Sequence, residues 1–262
     1  MDRMDIYHKF FSVARRGVLY SAPITPNHNE GPRILDIGTG TGIWAIDIGD
    51  KLNSTYQKVE IQGMDLSYMQ PREIPANLSF KKRDLESPWH DLGLDHWDLI
   101  HMRLLNGSVG NWPDLYSKVY RHLRPGYGWL EHIEIDMTPL CDDGTLPPTS
   151  NLVQWTQQIM SATQDHSRPL AYNTQTRSML EHQGFVEIQE QVIKVPFNPW
   201  PTDTHLKDIG RWYNLGLTQG LEALTLGPMT TVRNWKKSDV DKLIQDAKKE
   251  ICSKHIHAYC NM

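Results

Sequence analysis

Asp36-Ile37-Gly38-Thr39-Gly40-Thr41-Gly42 sets residues that can do chemistry at a telling spacing, directly after the apolar run Arg33–Ile37. Glycine supplies backbone angles that other residues resist and lets a ligand approach the main chain closely. The G-x-G-x-G spacing differs from the G-x-G-x-x-G of dinucleotide sites, and the Lys-Ser/Thr ending of a P-loop is absent. Nothing here marks a phosphate cradle. The acid that opens the turn, Asp36, suits an ammonium group instead. Two further acids close strands. Asp65 ends the second apolar run, where a carboxylate accepts hydrogen bonds from both ribose hydroxyls. Asp84, in Lys82-Arg83-Asp84-Leu85, is placed to accept from an adenine amino group. Charge-assisted bonds of this kind contribute about 1.5–3 kcal/mol each. Three acids at successive strand ends describe a nucleoside with a cationic end. S-adenosylmethionine has that shape, with its ribose, adenine, α-amino group and sulfonium.

The elements that must position these residues alternate along the first half of the chain. Strands are expected at 33–37, 58–64, 78–80, 97–102 and 129–137, the last a long fifth strand. Helices are expected at 43–52 and 112–123, the latter opened by Trp112-Pro113-Asp114 and stopped by Arg124-Pro125-Gly126. Such alternation implies a parallel sheet covered on both faces. A short helix over 4–14 and a proline-punctuated loop over 22–32 precede it. The second half reads as helices at 151–164 and 174–183, a strand over 185–195, and helices near 203–223 and 237–254. The chain is read as one domain over 1–262: an N-terminal helix and loop (1–30), a cofactor-binding core (31–140) and a C-terminal part with a helical lid (141–262).

Composition excludes several function classes. The 262 residues carry 27 Lys and Arg against 31 Asp and Glu, a net charge of −4, so no broad nucleic-acid footprint is expected. No apolar run is long enough to span a membrane, and the amino terminus lacks a signal peptide's apolar stretch. Three scattered cysteines make no disulfide framework, which points to a reducing, intracellular compartment. Nine Trp and ten Tyr beside five Phe suit clefts and interfaces as well as cores.

With those residues in view, the sequence resembles the class I S-adenosylmethionine-dependent methyltransferases, and within them the LaeA-like fungal branch of secondary-metabolism regulators. The resemblance rests on Asp5–Lys9, Leu35–Asp47, Asp84–Trp89, Trp97–His101, Leu123–Gly126, Glu134–Asp136, Arg211–Asn214 and Ile256–Tyr259. It implies an α/β Rossmann-like fold, with a mostly parallel seven-stranded or truncated sheet, helices on both faces and a helical lid insertion. It implies that Asp36, Gly38, Gly40 and Gly42 line the methionine end of the cofactor, Asp65 the ribose, and Asp84 with Leu85 the adenine. Thr39 and Leu66 join the cofactor contacts, and His101 and Met102 face the sulfonium and the acceptor. It implies a velvet-family partner and a nuclear location. The family carries a further strand after the His257-Ala258-Tyr259 stretch, so a short or missing final sheet strand is expected.

At the acceptor end, a base is needed only if the acceptor carries a proton that must leave. Candidate bases are His101, His132 and Glu134, with Glu131 on the other face of the same strand. Asn198-Pro199-Trp200 reads as a rigid turn. Arg211–Asn214 reads as lid or as helix packing. Cys252, His255, His257 and Cys260 do not match a usual zinc spacing, and no metal is expected. Three functions remain open: a methyltransferase acting on a small molecule of a biosynthetic cluster or on a protein, a regulatory module that binds cofactor with little turnover, and a relative using the bound sulfonium as an electrostatic catalyst.

Overall fold

The computed structural model describes residues 3–25 and 31–262. The first two residues and the middle of the proline-punctuated loop lie outside the described residues. The chain runs α1 (Arg3–Ala14), β1 (Arg33–Ile37), α2 (Ile43–Asn53), β2 (Glu60–Asp65), β3 (Leu78–Lys82), β4 (Leu99–Arg103), α3 (Trp112–His122), β5 (Trp129–Ile133) and β6 (Asp136–Leu140). It continues through α4 (Asn151–Asp165), α5 (Thr176–Gln183), β7 (Lys194–Pro196), α6 (Thr204–Gly227), a π-helical turn (Pro228–Val232), α7 (Lys237–Ile251) and β8 (Tyr259–Asn261).

Five strands form one parallel sheet in the order β3-β2-β1-β4-β5, the truncated form of the expected architecture. Alternation divides the buried strand residues between two faces. Ile34, Ile61 and Leu99 pack against Trp44, Ile48 and Leu52 of α2. Leu35, Ile37, Ile100 and Met102 pack against α3 and Leu180 of α5. Helix α3 begins where the Asn111 side chain accepts from the Asp114 amide at 3.1 Å. The parallel register sets Ile37 beside both Met64 and Met102. The carboxyl ends of β1, β2 and β4 therefore finish level, and the loops that follow them share one edge of the sheet.

A second, antiparallel sheet, β6-β8-β7, belongs to a separate core built from α1, α4, α6 and α7. Two strand expectations change here. The run 129–137 is not one strand: it breaks at Glu134, whose Oε1 accepts from the Leu105 and Asn106 amides at 2.7 and 3.2 Å, and the chain leaves one sheet for the other. The run 185–195 is strand only over β7, because residues 185–193 find no ladder on β5. An open cleft of about 1330 Å³ separates that segment from β5. Among the described residues, no helix is long and apolar enough to cross a membrane.

Candidate functional site

The glycine turn leaves β1 at the level edge of the sheet. Gly38 and Gly40 take φ of +69° and +57°, angles that favour glycine. A Cβ on Gly38 would lie 2.6 Å from Leu105 Cδ2, and one on Gly40 would lie 2.7 Å from Met4 Sδ. The turn is thus a bare-backbone cradle with Leu105 and Met4 resting on it. Asp65, at the end of β2, accepts from the Gly40 amide through Oδ2 (2.9 Å) and from the Ser67 amide through Oδ1 (3.2 Å). A carboxylate has capacity for about four such bonds, so its remaining lone pairs can take ribose hydroxyls. The Arg83 amide donates to the Asp65 carbonyl at 2.7 Å, which carries the chain to exposed Asp84 and half-buried Leu85 on the same edge. Leu66 is 59% exposed beside Asp65.

Three expected site residues point elsewhere. Asp36 is buried, with Oδ2 accepting from Thr39 Oγ1 at 2.6 Å and Oδ1 accepting from His101 Nδ1 at 2.8 Å. It stiffens the turn from beneath and does not reach an ammonium directly. His101 is fully buried and stacks on the Trp44 indole with ring centres 3.6 Å apart. Burial lowers its pKa, so the imidazole is neutral, and its Nε2 meets no partner. It does not face an acceptor. Met102, fully buried, packs into the core on the α3 side.

The other candidate bases are likewise committed. His132 Nε2 lies 3.0 Å from Glu134 Oε1, and its Nδ1 lies 3.3 Å from the Tyr116 hydroxyl. Glu134 also holds the loop after β4, as described above, and its Oε2 is buried without a partner. Glu131 pairs with Arg15 at 2.6 Å and accepts from the Ser21 and Ala22 amides. It anchors the chain leaving α1.

Helix α1 forms a roof that sequence reasoning did not assign to the site. Asp5 accepts from Thr41 Oγ1 at 3.0 Å, which fastens the helix to the glycine turn. His8 Nε2 meets Asp47 of α2 at 2.9 Å, and Arg103 donates to His8 Nδ1 at 3.1 Å. The Arg103 guanidinium also sits 4.9 Å from the Phe11 ring centre. The signal in the sequence was position alone: Arg103 follows the two residues expected at the end of β4. Behind the roof, Gly216 and Gly220 of α6 let that helix close on Tyr7 and Arg3, and Tyr213 is buried beneath. Arg211 pairs with Asp208 on the exposed face. The 198–200 turn is held by Asn198 to the Ser253 carbonyl and by Trp200 to the Ala258 carbonyl, both at 3.0 Å. Cys260 is buried and Cys252 exposed, while His257 bonds Asp143. Among the described residues, no group of three His, Cys, Asp or Glu is placed to hold a metal.

A family model described as a methyltransferase domain matches residues 7–191. The chain belongs to that family. It is 56% identical over 263 residues to the secondary metabolism regulator LAE1 of Cochliobolus heterostrophus, covering 100% of this chain and 84% of the relative. It is 44% identical to the secondary metabolism regulator laeA of Monascus pilosus, covering 98% and 68%. A protein of Emericella nidulans named protein-methionine methyltransferase laeA is 42% identical, covering 98% and 67%. The chain is thus a methyltransferase of the LaeA-like group. Among solved structures, a phosphoethanolamine N-methyltransferase of Haemonchus contortus shares the fold at 16% identity and a TM-score of 0.53, covering 97% of this chain and 51% of its own. The large cleft at β5 is not lined by the glycine turn, Asp65 or Asp84.

Burial holds both His8 and His101 below the ordinary imidazole value of 6.5. As pH falls, the unfolded chain takes up these protons first, so their contribution to stability is complete above about pH 6.5 and shrinks below it. Thermal melts should show lower stability at about pH 5.5 than at about 7.5, and H101Q should flatten part of that slope. An unchanged slope in H101Q would show that His101 takes up its proton equally in the folded and unfolded chain, which would contradict the lowered pKa.

Proposed function

We propose that the chain transfers a methyl group from S-adenosylmethionine to the thioether of a protein methionine. The observation that carries the cofactor assignment is the bare glycine turn tied to Asp65. A bare-backbone turn, on which Leu105 and Met4 leave no room for a Cβ, lies one hydrogen bond from a strand-end carboxylate, with Asp84 and Leu85 next along the edge. When bound, S-adenosylmethionine would supply an electrophilic methyl, taken in line by an acceptor lone pair as the methyl–sulfur bond breaks and neutral S-adenosylhomocysteine leaves. The chain's own task is positioning. Gly38 and Gly40 admit the amino-acid end to the main chain, Asp65 holds the ribose, and α1 covers the turn and excludes water.

The acceptor reading is supported by what the site does not offer. His101, His132, Glu131 and Glu134 are all held in hydrogen bonds, and His101 is fully buried and neutral. A thioether sulfur has no proton to lose and needs no general base. The Emericella nidulans relative's name states the same class of acceptor.

The test is release of S-adenosylhomocysteine with peptides carrying an accessible methionine, with mass spectrometry locating the added methyl. The rate should show no rising limb between about pH 6 and 8, and D65A should weaken cofactor binding about tenfold or more. A methyl found on nitrogen or oxygen would rule out the acceptor. D65A binding as tightly as wild type would rule out the ribose contact.

The relatives' names also make them regulators. On the family resemblance we propose assembly with a velvet-type partner in the nucleus. Co-purification should recover such a protein with both wild type and the cofactor-dead G40D, and its absence from both would remove this role.

A further inference from the structure

Arg103 ends β4 directly beside the glycine turn, because Met102 lies opposite Ile37 in the ladder. Its side chain shares the face of His101, the residue two before it, and so projects beneath α1. Arg103 is half-buried as a residue, and burial pushes its pKa down to about 10. Its contacts are His8 Nδ1 and the Phe11 ring, neither of which carries negative charge. The carboxylates whose charge it feels are committed to other partners: Asp36 to His101 and Thr39, and Asp47 to His8. Arg15, the neighbouring cation, is neutralised by Glu131. Among the described residues, no carboxylate forms an ion pair with Arg103.

A recessed cation left uncompensated is costly, and an anionic ligand removes that cost. Arg103 also has donors to spare, since a guanidinium carries about five N–H groups in a planar fork and His8 uses one. His8 fixes the direction of the fork. Because Nδ1 accepts from Arg103, the imidazole proton is on Nε2 and is donated to Asp47. Asp47 stands on α2, the helix that starts from Gly42, so the chain Asp47–His8–Arg103 ties the guanidinium to the glycine turn itself.

We propose that Arg103 binds the α-carboxylate of the cofactor's amino-acid end, with His8 and Asp47 as positioning residues that aim it. This rests on S-adenosylmethionine being the cofactor of the site. It gives the amino-acid end a partner that Asp36, buried beneath the turn, does not provide.

Calorimetry with S-adenosylhomocysteine and with its decarboxylated form, 5′-deoxy-5′-(3-aminopropylthio)adenosine, tests it on the whole chain. Wild type should bind the first about ten- to a hundredfold tighter than the second. R103M should abolish that preference while keeping the decarboxylated ligand's affinity within about twofold, which also shows that the variant is folded. R103K, which keeps the charge without the fork, should retain part of the preference, and H8Q should reduce it. Should R103M not fold, the comparison passes to R103K and H8Q, where a preference equal to wild type overturns the proposal. Equal weakening of both ligands by R103M makes Arg103 a structural residue and overturns it as well. Wild type binding neither ligand rejects the cofactor assignment itself, and this inference with it.

Discussion

The hydrogen bond between Asp36 and His101 is the interaction on which the rest of the site depends. A carboxylate this deeply buried is tolerable only when its lone pairs are taken up. Here one oxygen holds β4 through His101 and the other holds the glycine turn through Thr39. His101 then lies flat on Trp44, which brings in α2, and the Trp44 indole N–H donates to the Leu19 carbonyl at 3.0 Å, which brings in the chain leaving α1. One buried pair therefore joins two strands, the cofactor turn, the following helix and the base of the roof. Its chemistry is positional: it makes the turn rigid enough that a bound ligand finds the backbone already in place.

Above that pair, the site is arranged by charge. The carboxylates available to a ligand are at the ends of β2 and β3, where a ribose and a purine belong, while Arg103 stands at the end of β4. The division matches a zwitterionic amino acid joined to a nucleoside. It also accounts for the use of α1, an element outside the sheet, as roof and as carrier of His8. The side chains that look like bases serve as braces. His132 and Glu134 hold the loop after β4 against β5, and Glu131 holds the exit from α1. The proposed transfer to a thioether, which needs no proton removed, is consistent with that arrangement.

Local pattern made much of this legible. The glycine turn, Asp65, the order of strands and helices through α3, and the helix at the amino terminus all follow from short-range spacing. Contacts between distant segments were not legible. His101 reads as a strand-end histidine facing a cleft, and only its stacking on Trp44, far back in the chain, shows that it points inward. The Asp47–His8–Arg103 chain joins three elements that no window of sequence contains. Strand alternation over 185–195 says which face each residue would take but not whether a partner strand is present, and β5 supplies none. Glu134 breaks the run 129–137 because its carboxylate has amide partners on another loop, which periodicity does not register.

The most direct measurement is a crystal structure with S-adenosylhomocysteine bound. The predicted result is a ligand lying across the ends of β1 and β2, its ribose hydroxyls on Asp65, its base beside Asp84 and Leu85, and its amino-acid end against Gly38 and Gly40. A nucleoside bound instead in the large cleft beside β5, with the glycine turn still covered by Met4 and Leu105, would contradict the assignment.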